Sequence, residues 1–141
     1  VVTNSLVIEP RAVLTPSMIA EGEALVRRMI ERPASQLTAA FWLYLEERNR
    51  WRLHMAFPGV AEEGARAAYK LVYAQFQVIA GHPTYGFPAM EFTDIAAIDA
   101  EDRLVRALRK IYPGGVRVGM ASARQIWLDD HYFEGVLIYL L

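Results

Sequence analysis

Apolar residues recur along this chain with two different periods. Met18, Gly22, Leu25 and Met29 fall on one face at helical spacing, and Ile19, Val26 and Ile30 widen that face into a stripe. Glu21, Glu23, Arg27, Arg28 and Arg32 lie largely off it. Thr15 offers a capping hydroxyl and Pro16 sits at the first helical position, where its missing N–H costs nothing. Pro33 ends the segment. A second helix is predicted over about 60–80, with Ala61, Ala65, Ala68, Val72, Phe76 and Ile79 in line, before Gly81-His82-Pro83 stops it. The third is predicted to open at Asp99, with Asp102 three residues on at capping-box spacing. Its acids come early and its bases late, which suits the helix dipole, and Leu104, Leu108 and Ile111 form its stripe.

Alternation with a period of two predicts strands over 39–46 and 50–57, joined at Glu47-Arg48-Asn49. Closing the hairpin on three residues pairs Leu45 with Trp51, Leu43 with Leu53 and Phe41 with Met55 on one face. The other face then pairs Glu46 with Arg50, Tyr44 with Arg52 and Trp42 with His54. Under that register, Phe41, Leu43, Leu45, Leu53 and Met55 turn towards the helices. A strand over 92–98 precedes the third helix, and two more are expected near 124–128 and 131–141, around a turn at Asp129-Asp130. A short strand at Leu6–Glu9 is a further candidate. The predicted fold is α+β: one mainly antiparallel sheet (hairpin 39–57, strand 92–98 and the C-terminal strands) packed with three helices in two layers.

Composition narrows the classes. The 141 residues read as a single domain, 1–141, with 54% hydrophobic residues and a mean hydropathy of +0.14, which excludes intrinsic disorder. Fifteen basic residues stand against 16 acidic ones, so a general nucleic-acid binder is not expected, despite Arg48, Arg50 and Arg52. No apolar run approaches the ~20 residues that span a bilayer, and no secretory leader is apparent; a cytoplasmic protein is expected. With no cysteine, a disulfide framework, a thiol nucleophile and thiolate metal sites are all excluded.

Several chemistries leave no trace. The lysines are Lys70 and Lys110 and neither follows a glycine, which removes the P-loop. The nine glycines never take dinucleotide-binding spacing. There is no His-Glu-x-x-His pair, and Ser122 sits in no nucleophile elbow. Asp129, Asp130, His131 and Glu134 carry metal-ligating chemistry. In a strand, however, His131 and Glu134 point to opposite faces, and the aspartates are ordinary turn residues, so no metal and no cofactor is expected.

One constellation suggests binding. If Trp42, Tyr44, Arg52 and His54 share a hairpin face, aromatic rings beside a guanidinium make a surface for anionic or planar ligands. The competing reading buries both rings against another element, with arginines covering their edges. The irregular stretch 81–88 adds His82 and Tyr85, which serve equally as a pocket border or as plugs at the end of the sheet. The favoured expectation is a non-enzymatic binding or assembly module using this aromatic–basic face. The alternative is a small enzyme in which His54 or His82 acts as general base beside Arg52 on an anionic small molecule. A homodimer through the sheet or the C-terminal strand is also expected, because Val136–Leu141 is apolar on both faces and three helices in so short a chain leave one face uncovered.

Overall fold

The computed structural model describes residues 11–80 and 89–141, with the backbone alone over 118–124. The expected strand at Leu6–Glu9 and the 81–88 stretch lie outside the described residues. The elements are α1 (Pro16–Ile30), β1 (Ala39–Leu45), β2 (Arg50–Phe57), the single turn α2 (Val60–Glu63), α3 (Arg66–Ala80), β3 (Ile95–Asp99), α4 (Arg103–Ile111), β4 (Arg117–Leu128) and β5 (His131–Leu140). The five strands form one sheet in the order β3-β2-β1-β5-β4. The class is α+β, but the sheet is mixed. β2 and β3 run parallel, and the other pairs are antiparallel. The cause is the chain between them: two strands joined through a long helix such as α3 return in the same direction, whereas short turns reverse them.

Helices cover both faces, so the sheet is the middle of three layers rather than one of two. On one face Trp42, Leu53, Met55, Ile95 and Tyr139 pack with Leu25, Val26 and Met29 of α1 and Val72, Phe76 and Ile79 of α3. On the other, Phe41, Leu43, Val136 and Ile138 pack with Val105 and Leu108 of α4. The two-sided apolar run of β5 is therefore accounted for within one chain, since β5 lies between β1 and β4 with core on either side. That removes the reason for expecting this strand to bury itself in a second copy.

Three further departures have local causes. The hairpin is one residue out of the expected register: Leu45 pairs with Arg50, Trp42 with Leu53 and Phe41 with His54. Its loop holds four residues, a 3-10 turn over Glu46–Arg48 followed by Asn49 in the left-handed conformation. A one-residue slip turns one strand's side chains to the opposite face relative to its partner. Every residue of β1 from Ala39 to Tyr44 is buried, so apolar alternation could not reveal the slip. The predicted helix over 60–80 is broken at Gly64, whose φ of +87° and ψ of 174° no helix accommodates. Asp99 does not open α4. It ends β3, and its carboxylate accepts from the Ala61 and Glu101 amides at 2.9 and 2.8 Å, contacts that hold it below the usual carboxylate range. α4 is capped by Asp102, which accepts from the Leu104 amide. The strand expected over 92–98 begins only at Ile95, after a 3-10 turn at Phe92–Asp94.

The cap of α1 is as expected, with the Met18 amide donating to the Thr15 hydroxyl at 3.1 Å. The two-residue turn at Asp129-Asp130 also forms, with Asp129 at φ +55°.

Candidate functional site

The corrected register separates the residues expected on one hairpin face. Trp42 and Tyr44 point to the α1 side; Arg52 and His54 point to the α4 side, with Leu43 and Phe41 as their cross-strand partners. His82 and Tyr85 lie outside the described residues. Trp42 is wholly buried and its indole N–H donates to the Tyr139 hydroxyl at 2.9 Å. That hydroxyl in turn donates to the Ile19 carbonyl at 2.6 Å, and burial pushes it above the usual range for a tyrosine. This is a core network that ties α1 to the sheet. Tyr44 is also buried, and its hydroxyl donates to Asn49 Oδ1 at 2.7 Å, bracing the hairpin loop.

His54 is only 7% exposed. Its ring stacks on Phe41 with centroids 5.4 Å apart and planes 6° from parallel, and Nδ1 donates to the Arg52 carbonyl at 3.1 Å. Burial pushes its pKa down to about 4; the Arg52 charge acts in the same direction, against the hydrogen bond to the Arg52 carbonyl. His54 is thus a neutral packing residue at pH 7. A general base must reach the proton it removes, and this ring is closed off from solvent.

Arg52 is different. α4 is nine residues long and covers only part of its face. Beyond it, at the hairpin end of the sheet, lies an open groove of about 520 Å³. Tyr44, Leu45, Arg52 and Phe133 contribute to it from the sheet, Glu46, Glu47 and Arg48 from the β1–β2 loop, and His131 and Tyr132 from the start of β5. The groove exists because β5 pairs with β1, which brings the tip of one hairpin beside the tip of the other. Arg52 Nε is buried and makes no hydrogen bond among the described residues. An unpaired buried N–H costs about 1–3 kcal/mol, more when the group is charged, so an acceptor that reached this nitrogen would relieve that cost. Glu46 is not that acceptor, since its carboxylate lies 3.8 Å from Arg11.

The sequence reading selected Arg52, weighed Arg48 beside it only for nucleic acid, and did not single out Tyr132 or Phe133. It placed His131 at the start of a strand and weighed it only as a metal ligand. Among the described residues no three His, Asp or Glu side chains converge as a metal site would require. No helix there is long and apolar enough to cross a membrane. No protein-family model matches the chain, and no curated protein or solved structure is significantly similar to it.

Proposed function

We propose that the protein is a non-enzymatic binding module that holds a small oxyanion-bearing molecule, a carboxylate or phosphate ester with a flat ring, in the groove at the hairpin end of its sheet. The observation that carries this reading is Arg52, which lines a groove large enough for a small molecule and whose buried Nε has no hydrogen-bond partner among the described residues. Guanidinium groups match carboxylate and phosphate oxygens in geometry as well as charge. Arg48 adds a second guanidinium at the rim, and Tyr132 and Phe133 offer apolar ring surface for the rest of the ligand. His54, neutral at pH 7, leaves Arg52 free of a competing like charge.

Binding is favoured over catalysis because the groove holds no activated nucleophile. Its histidine, His131, is exposed at the start of β5, and the buried His54 is not among the residues that line it. The test is a thermal-shift screen of the full chain with flat carboxylates and phosphate esters, repeated on Arg52→Gln. A ligand at a hundredfold excess over Kd adds about 2.7 kcal/mol of stability. Stabilisation of the parent chain that disappears in Arg52→Gln supports the proposal. Equal stabilisation of both proteins, or none of the parent by any oxyanion, refutes it.

A further inference from the structure

The opposite face of the same sheet end is built differently. Residues 11–14 cross it as a strap tied at three points. The Ala12 amide donates to Asn49 Oδ1 at 2.7 Å, the Ala12 carbonyl accepts from the Trp51 indole N–H at 3.0 Å, and Arg11 pairs with Glu134 at 2.7 Å. Strap and sheet together line a pocket of about 410 Å³, with walls from Leu14, Ile19, Tyr44, Trp51 and Leu137. Val13, which also lines it, is 72% exposed. The volume lies within the range of about 300–1,000 Å³ found for small-molecule sites.

What distinguishes this pocket is that its polar side chains are already satisfied. The Tyr44 hydroxyl donates to Asn49, the Trp51 N–H donates to the strap, and Arg11 pairs with Glu134 at 2.7 Å and with Glu46 at 3.8 Å. A charged occupant would have to break those ion pairs or give up water without a partner, and burying an unpaired charge is costly. An apolar occupant needs neither. The rings of Tyr44 and Trp51 meet at 58° with centroids 5.6 Å apart, so they present two inclined aromatic walls of the kind against which a flat ring packs well.

We propose that this pocket is a second ligand site, taking an uncharged aromatic molecule of one or two fused rings between the 11–14 strap and the sheet. Its lining differs from that of the Arg52 groove at every position but Tyr44, which contributes to both.

The experiment uses two probes with the same ring system: 2-naphthol, uncharged at neutral pH, and 2-naphthoate, an anion. Each is titrated into the 15N-labelled full chain and followed by amide and indole NMR shifts. For 2-naphthol the expected result is saturable shifts concentrated at Ala12, Val13, Gly135, Leu137 and the Trp51 indole. 2-Naphthoate should bind there at least tenfold more weakly. Leu137→Phe, which fills the pocket, should lower 2-naphthol affinity at least tenfold, whereas Arg52→Gln should leave it unchanged. The shift map of the parent chain decides the matter even if Leu137→Phe disturbs folding. Absence of saturation, shifts centred elsewhere, or equal affinity for the two probes at these residues overturns the proposal. None of these outcomes depends on whether the Arg52 groove binds an oxyanion.

Discussion

Gly22→Ala probes how closely α1 lies on the sheet. A methyl group at position 22 would fall 2.5 Å from the Tyr139 hydroxyl oxygen and 3.0 Å from Trp42 Nε1. Elsewhere in a helix this substitution gains about 1 kcal/mol, because glycine gives up more backbone entropy than alanine. Here the Tyr139 hydroxyl cannot step aside freely: it accepts from Trp42 and donates to Ile19. Overpacking costs about 1–3 kcal/mol, and displacing the hydroxyl leaves the buried Trp42 N–H unpaired for about 1–3 more. After the propensity gain, the net loss is about 1–5 kcal/mol. With a urea m value of about 1–3 kcal/mol/M, the midpoint of equilibrium unfolding should fall by on the order of 1 M. A double-mutant cycle isolates the cause. In a Tyr139→Phe background the hydroxyl is gone, so Gly22→Ala should cost under about 1 kcal/mol, the remaining contacts with Trp42 Nε1 at 3.0 Å and the ring carbon Cε2 of residue 139 at 3.1 Å being set against the helix-propensity gain. The same large cost in both backgrounds, or a stabilising Gly22→Ala in the parent chain, would refute the reasoning.

Two further outcomes follow from buried polar groups. His54 has a folded pKa of about 4 against 6.5 for the free side chain, so between those values the unfolded chain binds a proton that the native chain refuses. Stability is therefore intact above about pH 6.5 and declines as pH falls to about 4, by roughly 3 kcal/mol in all; His54→Phe, measured by unfolding at pH 7 and pH 4.5, should remove most of that slope. Glu21, 4% exposed on α1, accepts from the Ala89 and Met90 amides at 2.8 and 3.0 Å. Glu21→Ala should cost about 2–4 kcal/mol in urea unfolding and Glu21→Gln distinctly less, because the amide oxygen still accepts one bond; equal losses would mean that these hydrogen bonds contribute little.

What was legible in the sequence was whatever local chemistry determines. Thr15-Pro16 caps α1 because a hydroxyl and a missing N–H act within one turn, and Asp129-Asp130 turns because aspartate tolerates the left-handed region. What was not legible depended on residues far apart. The hairpin register turned on a single loop residue, and β1 could not signal the slip because it is apolar on both faces. Tyr44 and Arg52 therefore looked like neighbours on one face when they lie on opposite ones. The parallel pairing of β2 with β3 and the approach of β5 to β1 are long-range facts that no local period encodes. The groove at Arg52 is a product of that second pairing, which is why Arg52 could be selected while its placement beside Tyr132 and Phe133 could not.

The central claim is that Arg52 Nε awaits an anionic oxygen, and the proton on that nitrogen can be observed directly. In 15N-labelled protein, the Arg52 Nε–Hε resonance, assigned through its loss in Arg52→Gln, is followed while a flat carboxylate that scores in the thermal-shift screen is added. The account predicts a saturable downfield movement of this proton, with Arg48 and the Tyr132 and Phe133 amides shifting at the same midpoint and the Trp51 indole unmoved. An Arg52 Nε–Hε signal that stays in place while the ligand saturates the protein would contradict it.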